Sequence, residues 1–348
     1  MTLFMVVPSG AGDAVGSTYR GAARNSSRPA GTISAVDANT GWEPYRRELV
    51  VYCYRMLGSI HEAEDLTQET FLRAWKARDR YDERRASVRT WLYRIATNVC
   101  LTALEGRARR PLPSGLGTAS DDPDAPLVPD FEVPWLQPLP GRYLRPDDGD
   151  PQARATGRAG VRLAFVAATQ LLPPRQRAVL VLRDVLQFSA AEVAGQLDTT
   201  TAAVNSSLQR ARAALATASP REEDLREPSA GDVVERYVRA FEAADVATLV
   251  TLLTDDAVLE MPPVPLWYRG RADYGRFMER VFTLRPGTWR ALPTTANGQP
   301  ALAAYCPDAG GHRLHTLQIF TVTDAGIAHN VVFQDPEVFA AFELAPSL

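Results

Sequence analysis

Histidine and cysteine are scarce in this chain, with 4 and 3 residues among 348. Cys53, Cys100 and Cys306 are scattered without CxxC spacing. That pattern excludes a disulfide frame and reads as buried free thiols. His312 and His315 sit three apart in a strand-like run and would face opposite sides of a sheet, so no metal site is expected. No apolar run is long enough to cross a bilayer. The stretch from Leu3 to Pro8 is short and lacks the basic flank of a signal peptide. A cytoplasmic address without membrane contact is therefore the expectation. Charge is nearly balanced as well, at −3 overall, so the whole chain carries no polyanion-binding signature.

What is present is uneven charge along the chain. Residues 43–110 hold 14 basic and 10 acidic side chains, and residues 158–217 hold 7 and 3, so each block is +4. The intervening 111–157 is −5 and everything after 217 is −7. Two basic blocks separated and followed by acidic ones point to a polyanion partner for the blocks alone. Pattern divides the chain the same way. Residues 1–41 are small and polar without periodicity and read as a disordered arm. Helical modules are expected over 42–110 and 158–218, joined by an acidic, proline-rich extended linker over 111–157. A polar link over 219–230 precedes a unit over 231–348 that mixes helical and strand periodicity.

In the first module Gly58-Ser59 separates two helices, and Ser59 with Glu62 forms a capping box. Ala63, Leu66, Thr70, Phe71, Ala74 and Trp75 then make one packed stripe. Asp65, Gln68, Glu69, Leu72 and Lys76 occupy the other face, which by itself would be an ordinary solvated face. The run from His61 to Trp75 nevertheless closely resembles the core-binding region of sigma-70-type factors, and Val88 to Asn98 resembles the family's regions that open the −10 element. The resemblance implies that Asp65, Gln68, Glu69 and Leu72 bind RNA polymerase. Opening a duplex needs aromatics and arginines near a cationic surface to capture unstacked bases. Arg80 and Arg84 in the loop around Tyr81, with Arg89, Arg94, Asn98 and Arg109, are expected at the −10 DNA. Trp91 is expected to pack rather than to touch bases.

In the second module Ser189 and Glu192 make another capping box, and a break at Asp198-Thr199-Thr200 precedes a helix from about Thr201 to Ala216. Val204, Leu208, Ala211 and Leu215 share one side, while Asn205, Gln209 and Arg212 share the other. Two short helices at such a turn describe a helix-turn-helix, whose second helix enters a major groove. Together with Leu171 to Arg183, the segment resembles sigma region 4, the −35 reader. By that resemblance Asn205, Ser206 and Gln209 meet base edges, and Arg210 and Arg212 meet phosphates. Many relatives place arginine at the position of Asn205, which implies a different −35 sequence for this chain.

From Asp232 the order is helix, helix, strand (Ala257 to Met261), helix (Tyr274 to Phe282), then several strands, with Asp324-Ala325-Gly326 as a hairpin turn. This order, with Asp255 to Pro263 and Tyr268-Arg269-Gly270, resembles the SnoaL-like branch of the NTF2-like fold, a curved sheet closing a cone. Asp255, His329 and Asp335, beside Trp267 and Tyr268, are the acid–base candidates there, but a fold does not imply an activity, and no catalytic residue is expected. Trp135 to Pro140 in the linker is similar to a WLxPxP-type element of the actinobacterial sigma-G subgroup, which makes Trp135 and Leu136 a docking peptide.

The expected fold class is thus multidomain: two all-α DNA-binding modules, sigma region 2 and a helix-turn-helix region 4, followed by an α+β SnoaL-like cone. The resemblance implies an extracytoplasmic-function RNA polymerase sigma factor that makes no bonds and needs no cofactor. Its partners would be core polymerase and promoter DNA, with an anti-sigma factor and a small-molecule ligand in the cone as further ones, and its C-terminal domain would modulate activity. The alternatives are a helix-turn-helix regulator acting without polymerase and a DNA-binding protein fused to a SnoaL-like enzyme domain.

Overall fold

Gly58 adopts φ 70°, a left-handed backbone that glycine reaches at little cost, and its amide closes helix α1 (Arg46–Leu57) onto Tyr54 O. Ser59 caps α2 (Ile60–Ala77), its Oγ accepting from Glu62 N. Only this half of the expected box forms, because the Glu62 carboxylate is drawn away to Arg107 and Arg110, 2.6 and 3.0 Å distant. The buried stripe of α2 also differs from expectation. It runs through Ile60, Ala63, Thr67, Thr70 and Ala74, while Trp75 stays exposed beneath the Arg78 guanidinium. Thr67 tolerates burial because its hydroxyl donates to Ala63 O at 2.7 Å. Ser87 caps α3 (Val88–Leu104), which completes the first module.

The structure is a computed structural model that describes residues 41–144, 160–218 and 230–348. The expected arm and the 219–230 link lie outside the described residues but for their final positions. No described helix is long and apolar enough to cross a membrane. In the second module α4 (Leu163–Thr169) leads into α5 (Pro174–Leu180), which continues through a π turn over Val181–Val185. The Ser189–Glu192 box forms in full at the start of α6 (Ala190–Gln196). Asp198, at φ 49°, turns the chain into α7 (Thr201–Ala218), where Val204, Leu208 and Ala211 are buried as the 4-3 spacing predicts.

The third unit opens with α8 (Ala230–Glu242) and α9 (Val246–Thr251). Strands β1 (Leu253–Met261) and β2 (Val264–Arg269) follow, then α10 (Arg271–Leu284). Strands β3 (Arg290–Ala296), β4 (Gln299–Asp308), β5 (Gly311–Thr323) and β6 (Gly326–Phe333) complete the sheet, and α11 (Pro336–Ala341) ends the chain's regular structure. The sheet order is β2-β1-β6-β5-β4-β3, with β1 and β6 parallel and every other pair antiparallel. Thr323 pairs with Gly326 across Asp324-Ala325, the hairpin read from sequence. Phe241, Phe282 and Trp289 pack edge to face in its core, and Tyr237, Tyr274, Gln318 and Asn330 form a buried polar cluster beside them.

The two helical modules and the cone pack together within a single compact unit, Tyr45–Leu348. Arg177 of α5 is only 3% exposed and donates to Met56 O of α1, to Gln170 Oε1 and O, and to Leu172 O. In return Arg55 of α1 donates to Gly160 O at 3.3 Å. Arg177 thus ties the 170–172 turn of its own module to Met56 O of α1, and Arg55 ties α1 to Gly160 O. Burial draws the Arg177 pKa down to about 10, which still leaves it charged at neutral pH.

Candidate nucleic-acid interface

The residues singled out from sequence fall into two groups. On α2, Asp65 and Gln68 are exposed, Glu69 is partly exposed and paired with Arg73, and Leu72 keeps 50% of its surface in solvent. With Trp75 they form an outward strip that no other part of the described chain covers deeply. An exposed leucine and tryptophan on one helix face, rimmed by carboxylates, is the composition of a protein contact.

The arginines of α3 are arranged differently. Arg89 lies 3.0 Å from Glu48 and stacks over the rings of Tyr93 and Phe188, the latter from the second module. Its pKa is raised by Tyr93 and Glu48, although burial opposes the shift. Arg94 reaches across to Asp198 in the helix-turn-helix break at 3.0 Å. Asn98 and Arg109 are exposed, and Arg109 donates to Gly115 O. In the preceding loop Arg80 is exposed, Arg84 is almost wholly in solvent beside Asp82, and Tyr81 packs on Trp91 with ring centroids 4.8 Å apart. Trp91 therefore packs, as expected.

On α7, Asn205, Ser206 and Gln209 are exposed along one face. Arg210 donates to Ser206 and Ser207, and Arg212 makes a two-pronged pair with Asp184 at 2.7 and 2.8 Å. The Asp184 contact raises the Arg212 pKa. Periodicity shows which side a residue occupies, but it does not register acids such as Asp184, Asp198 and Glu48 placed against these arginines from other elements.

The described part of the linker, residues 111–144, is held by the rest of the chain. Its acidic stretch lies along the cone, which holds it mostly by backbone. Ser120 N and Asp130 N donate to Trp267 O and Pro263 O, Trp267 Nε1 donates to Gly117 O, and Arg280 donates to Pro123 O and Ala125 O. Trp135 is partly buried with its Nε1 on Asp130 O, and Leu136 is fully buried against Gly58. A Cβ at Gly58 would meet Leu136 Cδ1 at 2.7 Å, so that glycine also serves the linker's close approach. Gln137 bonds Gly58 O and Ser59 Oγ, and its own carbonyl accepts from Tyr54.

One residue that the sequence reading passed over joins all three units. Asn297, at the β3–β4 turn with φ 54°, is fully buried. Its Nδ2 donates to Tyr54 OH at 2.8 Å and to Val161 O at 2.6 Å, while its Oδ1 accepts from Leu139 N at 2.8 Å. The Asn297-Gly298 pair between strand-like runs was a legible turn signal, but its partners were not. Glu260 was also missed. It is 1% exposed on β1, 3.2 Å from His329 and near Ser114 N of the linker. The other acid–base candidates have structural duties: Asp255 pairs with Arg271 on the surface, and Asp335 caps α11.

Comparison with known proteins matches three regions of the chain to described families. Residues 42–110 match Sigma-70 region 2, residues 162–215 match Sigma-70 region 4, and residues 234–330 match the SnoaL-like domain. The chain is 49% identical over 331 residues to the ECF RNA polymerase sigma factor SigG of Mycobacterium tuberculosis, covering 94% of this chain and 89% of that one. It is 29% identical to SigJ of the same organism over 81% of this chain and 86% of the relative. The crystal structure of M. tuberculosis SigJ superposes with a TM-score of 0.60 at 24% identity, covering 88% of this chain and 99% of that one, which shows a shared fold.

Proposed function

The chain belongs to the extracytoplasmic-function RNA polymerase sigma factors, and from that premise we propose how its folded form works. It binds core RNA polymerase and directs promoter-specific initiation by recognising −10 and −35 elements, with its C-terminal domain modulating that activity. Asp65, Gln68, Glu69 and Leu72 on α2 dock on polymerase. Arg80, Arg84, Arg89, Arg94, Asn98 and Arg109 serve the −10 element. Asn205, Ser206 and Gln209 read −35 bases, while Arg210 and Arg212 hold phosphates. The observation that carries this reading is the contrast between the open strip on α2 and the acid-bound arginines Arg89, Arg94 and Arg212. Phosphates would have to displace Glu48, Asp198 and Asp184 from these three arginines, which favours polymerase meeting the chain before DNA does.

Modulation follows from the linker. Polymerase must receive it as a thread between the modules, yet the cone holds it by backbone hydrogen bonds and Asn297 fastens Leu139 to both modules. The C-terminal domain thus sets how readily the modules separate. Trp135 and Leu136 are the docking peptide of that joint. The chain makes no covalent bonds and works in the cytoplasm beside its polymerase. An anti-sigma protein competing for α2 and a small-molecule ligand of the cone are its further partners.

Run-off transcription with purified core polymerase tests the reading. The full chain should yield one promoter-specific transcript that core polymerase alone does not make, and the Asp65→Ala, Gln68→Ala, Glu69→Ala combination should lose it with helicity unchanged. Transcription equal with and without the chain would contradict the assignment.

A further inference from the structure

At the meeting of the two modules and the linker lies a cavity of about 310 Å³, to which the roles above assign no ligand. Its walls carry four arginines: Arg107, Arg109 and Arg110 from the exit of α3, and Arg177 from α5. Glu62 is the one acid among the lining residues, and Arg107 and Arg110 share it. The lining therefore has three cationic charges in excess. Arg177 is buried, and although its terminal nitrogens are satisfied its Nε has no hydrogen-bond partner. Leu57, Leu104, Leu172, Pro134 and Pro174 supply an apolar wall on the same cavity.

Guanidinium groups packed around a partly enclosed space repel one another and favour an anion that accepts several hydrogen bonds at once. Phosphate oxygens meet that description, and the volume falls at the small end of ligand cavities. We propose that this cavity binds a small phosphorylated organic molecule, its phosphates against Arg107, Arg109, Arg110 and Arg177 and its carbon skeleton against the leucines and prolines. Such a ligand touches α1, α2, the end of α3, the linker and the second module together. It therefore stabilises the packed arrangement against separation.

The geometry makes Glu62 a competitor of the ligand. Neutralising it frees two guanidinium groups for phosphate without touching the helix cap, which is made by Ser59 Oγ and the Glu62 amide.

The test is calorimetric titration of the full chain at low salt with pyrophosphate and, in a second arm, adenosine diphosphate. Saturable one-to-one binding is expected, with adenosine diphosphate at least as tight as pyrophosphate. Arg107→Gln and Arg109→Gln should each weaken it about tenfold, and Glu62→Gln should tighten it about threefold. Arg239→Gln, the same charge change on the exposed side of α8, should leave it unchanged. Circular dichroism checks that each variant folds, and Arg109, being exposed, can be replaced without opening the core. Absence of saturable binding, equal weakening by Arg239→Gln, weaker binding in Glu62→Gln, or exclusion of adenosine diphosphate would each overturn the proposal. So would a site that accepts only the phosphates of duplex DNA.

Discussion

Helices α2 and α3 belong to one module and pack on the same α1, yet they meet the outside in opposite ways. The outer strip of α2 ends in solvent, with Leu72 and Trp75 uncovered. The arginines of α3 end on carboxylates of the same chain, one of them in the other DNA-binding module. The difference teaches an order of events. On the roles proposed above, the strip for polymerase is ready in the folded chain, while Arg89, Arg94 and Arg212 must first give up internal partners to meet DNA. Single exposed ion pairs are weak, on the order of 0.2–1 kcal/mol, so Arg94–Asp198 orients rather than locks. The lock is the pair of buried arginines and the Asn297 joint.

The sharpest way to break this contrast is to remove the lock. Arg177→Ala leaves four buried acceptors without their donor, one of them Met56 O of the first module, and should cost about 4 kcal/mol in urea unfolding. A loss below about 1 kcal/mol would mean the modules are held elsewhere. Next, the open face can be dulled. Asp65→Ala with Leu72→Ala should weaken binding to core polymerase by roughly a hundredfold, about 2.7 kcal/mol, while thermal stability stays put.

A titration measures the stability of the third unit itself. Burial, with help from the Arg285 and Arg313 charges, lowers the His315 pKa to about 3. The unfolded chain then binds the extra proton between the ordinary histidine range and that value, so stability falls as pH drops below about 6.5. Wild type should lose about 2 kcal/mol more than His315→Gln between pH 6.5 and 4.5, a figure reduced because part of the ring still reaches solvent. Parallel curves for the two proteins would remove His315 from the account. The smallest effect is expected at the arginines themselves. Asp198→Ala should change stability by under about 1 kcal/mol yet raise promoter-fragment affinity of the free chain a few-fold, measured by anisotropy.

Much of the fold was legible because it is written locally. Ser59, Ser189 and Gly58 mark helix ends by chemistry that acts within four residues, and Val204, Leu208 and Ala211 mark a buried face by spacing alone. The order of helices and strands in the third unit followed from the change of period. What stayed hidden depends on partners far along the chain. Glu62 left its box for Arg107, 45 residues on, and Asn297 bonds Tyr54 across 243 residues. Trp75 reads as core in a helical wheel and stands exposed, because the packed stripe turns through Thr67, a residue whose burial rests on a hydroxyl bond to its own helix. The linker's acidic composition does not describe the carbonyls and amides between Gly117 and Asp130 that the cone grips.

The claim that the modules must part can be tested by preventing it. Cysteines placed by Arg94→Cys and Asp198→Cys can be bridged with a short bis-maleimide, since the native Cys53, Cys100 and Cys306 are all buried. The bridged chain should still bind core polymerase through α2 but give no run-off transcript, whereas the same double variant capped without a bridge, which has lost only the Arg94 contact, should keep a weaker transcript. Equal transcription from bridged and capped proteins would contradict the account.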